Sequence, residues 1–299
     1  SVRNVLRLKF ASGLMDRPAV AAQIPYDKGR HRELARDAAR QGCVLLINRG
    51  DTLPFKRLTN ARLAVIGPLG DGLDAQLAML GGYSSKPTGM VTTLLAALKA
   101  ATAANGSVGF AAGANPCNAT VNATEVQSAV ALAARSELAL VAVGDSGGVE
   151  CVTCGEGRDA TDLSLPGSQL ELLRAVLDGV DPAKTKVVVI LIHGRPVTFG
   201  TDERCGRLQS CHNQLLSHPA LSSMIAAWHP GQYGAAALVD LLAGRFPFVG
   251  KLTQAWPRSV GHIAEGSGVG PWFGLPLRQG TNLERDAYAS GLKTPLFPF

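Results

Sequence analysis

Two hydrophobic periods take turns along this chain. At 62–68, 138–143 and 186–192 almost every side chain is apolar, and each run is short and bounded by turn-forming or charged residues. Such runs are too short for core helices. Their lack of polar alternation predicts strands covered on both faces, as in a parallel sheet. Shorter apolar runs at 43–47, 108–111 and 223–228 predict further strands. Between them, apolar residues recur at helical spacing over 31–41, 92–104, 125–135, 168–177 and 235–242, which predicts helices. In the first of these, Leu34, Ala35, Ala38 and Ala39 share the face expected to pack, and Gly42 closes the helix. The stretch from Pro68 to Thr92 reads as a loop through Gly81-Gly82-Tyr83-Ser84. Strands alternating with helices imply βαβ units. The expected fold is therefore α/β: an open, mostly parallel sheet of about six strands with helices on both faces, an α/β sandwich.

The pattern fails at both ends. Val2, Val5, Leu6 and Phe10 stand at helical spacing ahead of Gly13 and the Asp16-Arg17-Pro18 break, and such a helix needs a surface to pack on. Residues 1–29 are accordingly read as the end of a preceding domain and a linker, and residues 30–257 as the α/β domain. Residues 258–299 are rich in Gly and Pro without a period, and read as an extended tail leading toward a further domain.

Composition narrows the function classes. With 299 residues, 46% apolar and 17% charged, the chain can bury a substantial core. The net charge is +6, but Lys and Arg are scattered and no basic run is interleaved with aromatics, which argues against a nucleic-acid partner. No apolar run reaches the about 18 residues of a membrane span. Three acceptor sequons, at Asn105, Asn118 and Asn122, and six cysteines point to the secretory pathway and an extracellular or cell-wall location. Cys205 and Cys211 enclose a short polar segment and form a candidate bridge. Cys151 and Cys154 are a second candidate pair, readable as a bridge, a redox pair or half a zinc site. No second Cys/His pair completes such a site, so a disulfide or free thiols are preferred and no metal is expected. No cofactor is expected either, because neither a Gly-x-Gly-x-x-Gly leading into a helix nor a Gly-x-x-x-x-Gly-Lys-Ser/Thr occurs.

Three features compete for the chemistry. Gly144-Asp145-Ser146-Gly147-Gly148 matches the peptide around the serine of chymotrypsin-like proteases, but that chemistry belongs to an all-β double barrel, and here the simpler reading is a turn after a strand. His193 and His229 each follow a strand, yet a lone His there more often caps a loop, and neither enters the catalytic set. Glu156 lies between glycines in a loop beyond the 138–143 strand, with Arg158 and Asp159 beside it and Leu165-Pro166-Gly167 leading into a helix. The carboxyl rim of a parallel sheet is where ligands bind, and flanking glycines let the backbone bring a carboxyl group against one. Glycoside hydrolysis needs a second carboxylate as well.

The stretch Gly155-Glu156-Gly157-Arg158-Asp159-Ala160-Thr161-Asp162-Leu163-Ser164-Leu165-Pro166-Gly167 resembles the acid/base segment of the C-terminal α/β-sandwich domain of family 3 glycoside hydrolases, the β-glucosidases and β-xylosidases. Ala64-Val65-Ile66-Gly67-Pro68, Gly81-Gly82-Tyr83-Ser84, His193-Gly194-Arg195-Pro196 and Trp228-His229-Pro230-Gly231-Gln232 are similar to other parts of that domain, and residues 2–14 resemble the last helix of the family's barrel domain. Asp159-Ala160 stands where many members have Asp-Arg, and Phe248-Val249-Gly250-Lys251-Leu252-Thr253 departs from the usual Pro-Ser-Gly-Arg-Leu-Pro.

The resemblance implies a retaining mechanism shared between domains. A barrel aspartate attacks the anomeric carbon, and a sandwich glutamate, falling on Glu156 with Glu150 as the fallback, protonates the leaving oxygen and later activates water. Implied partners are a β-linked glycoside, β-glucosides placed ahead of β-xylosides, and a barrel domain of the same protein or a partner chain. The barrel aspartate is not in this sequence, so the isolated chain is expected to be inactive. The alternative is a non-catalytic carbohydrate-binding or structural cell-surface protein that retains the sandwich; an intact mass of the native protein would discriminate.

Overall fold

The computed structural model describes residues 2–16, 27–84, 88–103, 105–147, 152–155, 163–199, 214–253 and 256. The chain divides into two units, Ser1–Glu33 and Leu34–Phe299. The first holds helix α1 (Val2–Ala11), whose Val2, Val5, Leu6, Leu8 and Phe10 are all exposed. The tail at 258–299 lies outside the described residues.

Helix α2 (Lys28–Gly42) crosses the division and leads into β1 (Val44–Asn48). Then follow β2 (Arg62–Ile66), α3 (Gly72–Leu80), α4 (Leu94–Ala101), β3 (Ser107–Ala111), α5 (Ala123–Ala134), β4 (Leu138–Gly144), α6 (Gln169–Gly179), β5 (Lys186–Ile192), α7 (Gln214–Ser217), β6 (Leu221–Ala226) and α8 (Gly234–Leu242). The strands form one six-stranded sheet in the order β1-β6-β5-β4-β2-β3. All neighbours are parallel except β1, which runs antiparallel to β6 at the edge.

Strand alternation splits the core into two layers. Ala139, Val141 and Val143 of β4 join Val187, Val189 and Leu191 of β5 against Ala129, Leu132 and Ala133 of α5 and Leu172, Leu173 and Val176 of α6. Leu138, Leu140 and Ala142 join Val188, Ile190 and Ile192 against Leu94, Leu95 and Leu98 of α4 and Leu238, Leu241 and Leu242 of α8. Burial on both faces explains the unbroken apolar runs. Truncating one such side chain, Leu140→Ala for example, removes about 3 kcal/mol through lost transfer energy and a cavity.

Two helix starts are set by side chains. Asn122 Oδ1 accepts from the Thr124 and Glu125 amides to cap α5, while Asn122 Nδ2 donates to the Glu125 carboxylate at 3.0 Å. Thr93 Oγ1 accepts from the Ala96 amide to cap α4 and donates to Asp71 at 2.6 Å.

Sequence and structure differ in three places. Helix α3 occupies part of the stretch expected to be loop; it is apolar around most of its circumference, so no stripe of helical period marks it. Leu34 of α2 is 65% exposed rather than packed, and Ala39 is the helix's buried residue. The last strand ends at Ala226, because Trp228 takes a left-handed backbone with φ +57.

From β2 the chain goes out through α3 and α4 to β3, then returns through α5 to β4 on the other side of β2. Strands β2 and β4 therefore flank a topological switch point, and the crevice beyond their carboxyl ends is the place where such sheets bind ligands.

Candidate functional site

The rim starts where β4 stops. Gly144 has φ +148, and the amide of Gln169 at the start of α6 brackets it: the Gly144 N–H donates to Gln169 Oε1 at 2.9 Å, and Gln169 Nε2 donates to the Gly144 carbonyl at 2.8 Å. Gln169 is fully buried, so this pairing ties the end of β4 directly to the helix that follows the loop.

Beyond Gly144, Asp145 and Ser146 are buried. The Asp145 carboxylate faces Arg195, from the turn after β5, with Nη1 3.1 Å from Oδ1. It also accepts the Gly194 amide on Oδ2 at 3.3 Å and the Thr153 hydroxyl on Oδ1 at 3.1 Å. Thr153 Oγ1 accepts the Ser146 amide at 2.8 Å, the Thr153 N–H donates to the Ser146 carbonyl at 2.9 Å, and Gly147 bridges Val152. With Ser146 at 0% exposure, the protease-like peptide presents no accessible nucleophile; its described residues are the end of β4, two irregular residues and the bridge at Gly147.

The far end of the loop is fastened as well. The Thr198 amide donates to the Leu163 carbonyl at 2.7 Å, and Ser164 bridges Thr198. Gly167, at φ +66, sits so tightly on the Asn115 carbonyl that no side chain fits there. Across the crevice Gly82 approaches Gly155: a Cβ on Gly82 would lie 3.4 Å from the Gly155 Cα. Gly155 itself has φ +116, which favours glycine at that position.

The two rim histidines serve the scaffold. His193 is fully buried, and its Nδ1 meets the Arg195 carbonyl. Its ring packs tilted against Trp228, with centroids 4.9 Å apart, and edge-on against Trp256 at 5.2 Å. Burial drives His193 down to about 3, against the opposing effect of the Arg195 hydrogen bond, so the ring is neutral. His229 Nδ1 pairs with the Ala78 carbonyl at 2.7 Å and packs against Gly81, holding the end of α3. Trp228 keeps its left-handed backbone because the tilted ring contact with His193 and the His193 amide, which donates to the Trp228 carbonyl at 3.1 Å, hold it there.

Glu156 and its fallback Glu150 lie outside the described residues, as do Cys151, Cys205 and Cys211. Cys154 corrects one expectation: it is a free thiol, 7% exposed, so a Cys151–Cys154 bridge is not formed. The strand-like bridge of Val152 to Gly147 leads the following cysteine into the protein interior, where burial raises its thiol to about 11. Cys117, to which the sequence reading assigned no partner, is disulfide-bonded. Asn105, Asn118 and Asn122 are exposed. Among the described residues no group of three or more His, Cys, Asp or Glu is placed to hold a metal ion, and no helix is long and apolar enough to cross a membrane. Asp145, Thr153, Arg195 and Gln169 are the site residues that sequence reasoning missed; Arg195 and Asp145 stood inside quoted motifs, but nothing in the sequence signalled their pairing.

An open α/β sheet with helices on both faces and a switch point between β2 and β4 defines an α/β-sandwich domain. Residues 43–294 match the glycosyl hydrolase family 3 C-terminal domain, and the chain belongs to that family. A β-xylosidase of Formosa agariphila is 29% identical, over 99% of this chain and 37% of its own length. Beta-D-xylosidase 3 of Arabidopsis thaliana is 30% identical over 85% of this chain and 29% of its own length. The periplasmic β-glucosidase of Salmonella typhimurium is 28% identical over 88% and 34%. The chain thus spans about a third of the length of these relatives. Among solved structures, a GH3 β-glucosidase of Bifidobacterium adolescentis superposes with a TM-score of 0.62 at 27% identity, covering 81% of this chain and 31% of that one. A β-glucosidase of Listeria innocua in complex with glucose shares the fold with a TM-score of 0.71 at 22% identity, over 98% and 36%.

Proposed function

We propose that this chain is the acid/base-bearing part of a retaining exo-β-glycosidase that removes terminal β-glucosyl or β-xylosyl residues. In the first step an aspartate on a barrel domain, in the same polypeptide or on a partner chain, attacks the anomeric carbon. The glycosidic C–O bond breaks, and Glu156 gives its proton to the departing oxygen. In the second step the Glu156 carboxylate takes a proton from water as that water displaces the aspartate and releases the sugar. One observation carries the reading: the family correspondence runs through the Glu156 loop, and both ends of that loop are fastened beside the switch point. A secretory location is part of the proposal, supported by the exposed sequons, the disulfide at Cys117 and a relative named as periplasmic.

The test uses the natural full-length polypeptide that contains these residues. Glu156→Gln is expected to lower kcat/KM on an aryl β-glycoside with a poor leaving group by roughly 100-fold or more, the usual scale of general-acid assistance. Azide added to Glu156→Ala is expected to restore turnover and yield a β-glycosyl azide. Unaltered kinetics in Glu156→Gln, with the loss appearing in Glu150→Gln instead, would transfer the role to Glu150.

A further inference from the structure

The proposed chemistry leaves the buried ion pair at the rim unassigned. Asp145 is 1% exposed and Arg195 lies 3.1 Å from it. Such pairs are costly to desolvate and can often be replaced by apolar packing without loss of stability. The pair is better explained by what it orders.

What it orders is Thr153. Asp145 Oδ1 accepts the Thr153 hydroxyl at 3.1 Å, and Arg195 Nη1 donates to the Thr153 carbonyl at 2.8 Å. Thr153 Oγ1 also accepts the Ser146 amide, and its own proton has the Asp145 carboxylate at 3.1 Å as a nearer, charged acceptor than the Ser146 carbonyl at 3.5 Å. Hydroxyl, carbonyl and amide of Thr153 are thus all engaged. Along the chain Glu156 follows after only Cys154, which is buried, and Gly155, whose backbone is left-handed. A general acid must stand within hydrogen-bond reach of the oxygen it protonates, and a displacement of about 1 Å can cost on the order of 100-fold in rate.

We propose that Asp145 and Arg195 are positioning residues that act through Thr153 to set the acid/base carboxyl, an inference that rests on the Glu156 reading above. The pair joins the segments that follow β4 and β5, so Thr153 is tied to the ends of two central strands.

The experiment compares Thr153→Val, Arg195→Lys and Glu156→Gln in the full-length polypeptide, on two aryl β-glycosides of the same sugar. One has a poor phenol leaving group; the other releases 2,4-dinitrophenolate, which needs no protonation. Thr153→Val removes the hydroxyl with little change of volume, and its melting temperature is measured alongside. The expected result is a loss of about tenfold or more in kcat/KM on the poor leaving group, less than about twofold on the activated one, and a shifted alkaline limb of the pH profile. In the Glu156→Gln background Thr153→Val is expected to add no further loss, because the two residues act as a unit. Should Thr153→Val and Arg195→Lys lose equally on both substrates, or not at all, while Glu156→Gln keeps its leaving-group dependence, the positioning role is refuted and Glu156 stands. If Glu156→Gln itself lacks that dependence, the acid/base reading falls and the positioning role falls with it.

Discussion

Asp240 on α8 is gripped from two directions by Arg36 on α2: Nε donates to Oδ2 at 2.8 Å and Nη2 to Oδ1 at 2.7 Å. Arg40, a turn further along, adds Nε to Oδ2 at 2.8 Å. The carboxylate is 3% exposed, while Arg36 and Arg40 retain 29% and 18%. Burial alone would raise the Asp240 carboxyl, but the Arg36 and Arg40 hydrogen bonds and charges outweigh it and hold it below the ordinary 3.8. A depressed carboxyl stabilises the fold above its unfolded value, and that contribution fades as pH falls below it. Asp240→Asn is expected to cost about 2–3 kcal/mol at pH 7, less than for a fully buried pair because both arginines can reach water. In urea titrations the gap from wild type narrows below about pH 3.8; identical midpoints at pH 7 would contradict the assignment.

That pair also shows where sequence reading stops. The period of α2 was visible, but its attachment was assigned to Leu34 and its neighbours, whereas arginines fasten it to a residue some two hundred positions away. The buried strands were legible because burial on both faces leaves an unbroken apolar run. Helix α3 was illegible because its apolar residues, exposed Leu73 among them, are spread around the helix and leave no polar face to set off a stripe. At the site, the loop with Glu156 was visible through its glycines and its family resemblance. The Asp145–Arg195–Thr153 clasp was not, since hydrogen bonds between distant turns leave no period in the sequence.

His193 predicts an acid limb of stability. Burial, with smaller contributions from His229 and Arg195, takes the ring from 6.5 to about 3, although its hydrogen bond to the Arg195 carbonyl opposes the fall. Between those values the unfolded chain binds a proton that the folded protein refuses. Stability is therefore full above about pH 6.5 and drops as pH is lowered, by at most ~1.4 kcal/mol per pH unit from this residue. His193→Gln removes the titration but not the possibility of a hydrogen bond to Arg195. Its packing cost does not depend on pH, so the wild-type advantage measured at pH 7 is expected to shrink by about 2 kcal/mol at pH 5. A constant difference over that range would mean that the ring protonates in the folded protein.

The two free thiols among the described residues, Cys43 and Cys154, differ from exposed ones in a measurable way. Burial lifts Cys43 to about 12, and burial together with the Asp145 charge lifts Cys154 to about 11 against the pull of Arg195. At pH 8 the reactive thiolate is then roughly one part in a thousand or fewer. Iodoacetamide is expected to leave both residues unlabelled in the native protein over a period that labels them fully in guanidinium, as read by peptide mass spectrometry. Native labelling of Cys154 at the denatured rate would place its thiol in solvent.

Gly144 supplies a test that separates backbone strain from steric overlap. At φ +148 an L side chain is strained, and a Cβ there would also overlap the Ile192 carbonyl oxygen. That oxygen accepts the Asp145 amide at 2.9 Å, so no relaxation is possible without breaking the hydrogen bond that starts the rim. Gly50 is the natural control, with φ +56 and nothing within 4 Å of an added Cβ. Gly50→Ala is expected to cost about 1 kcal/mol, the left-handed backbone alone. Gly144→Ala adds the collision and is expected to cost roughly 3 kcal/mol or more, as read from denaturant midpoints. Equal costs at the two positions would mean that the ends of β4 and β5 yield easily, and a rim that yields could not hold the Asp145 carboxylate against Arg195.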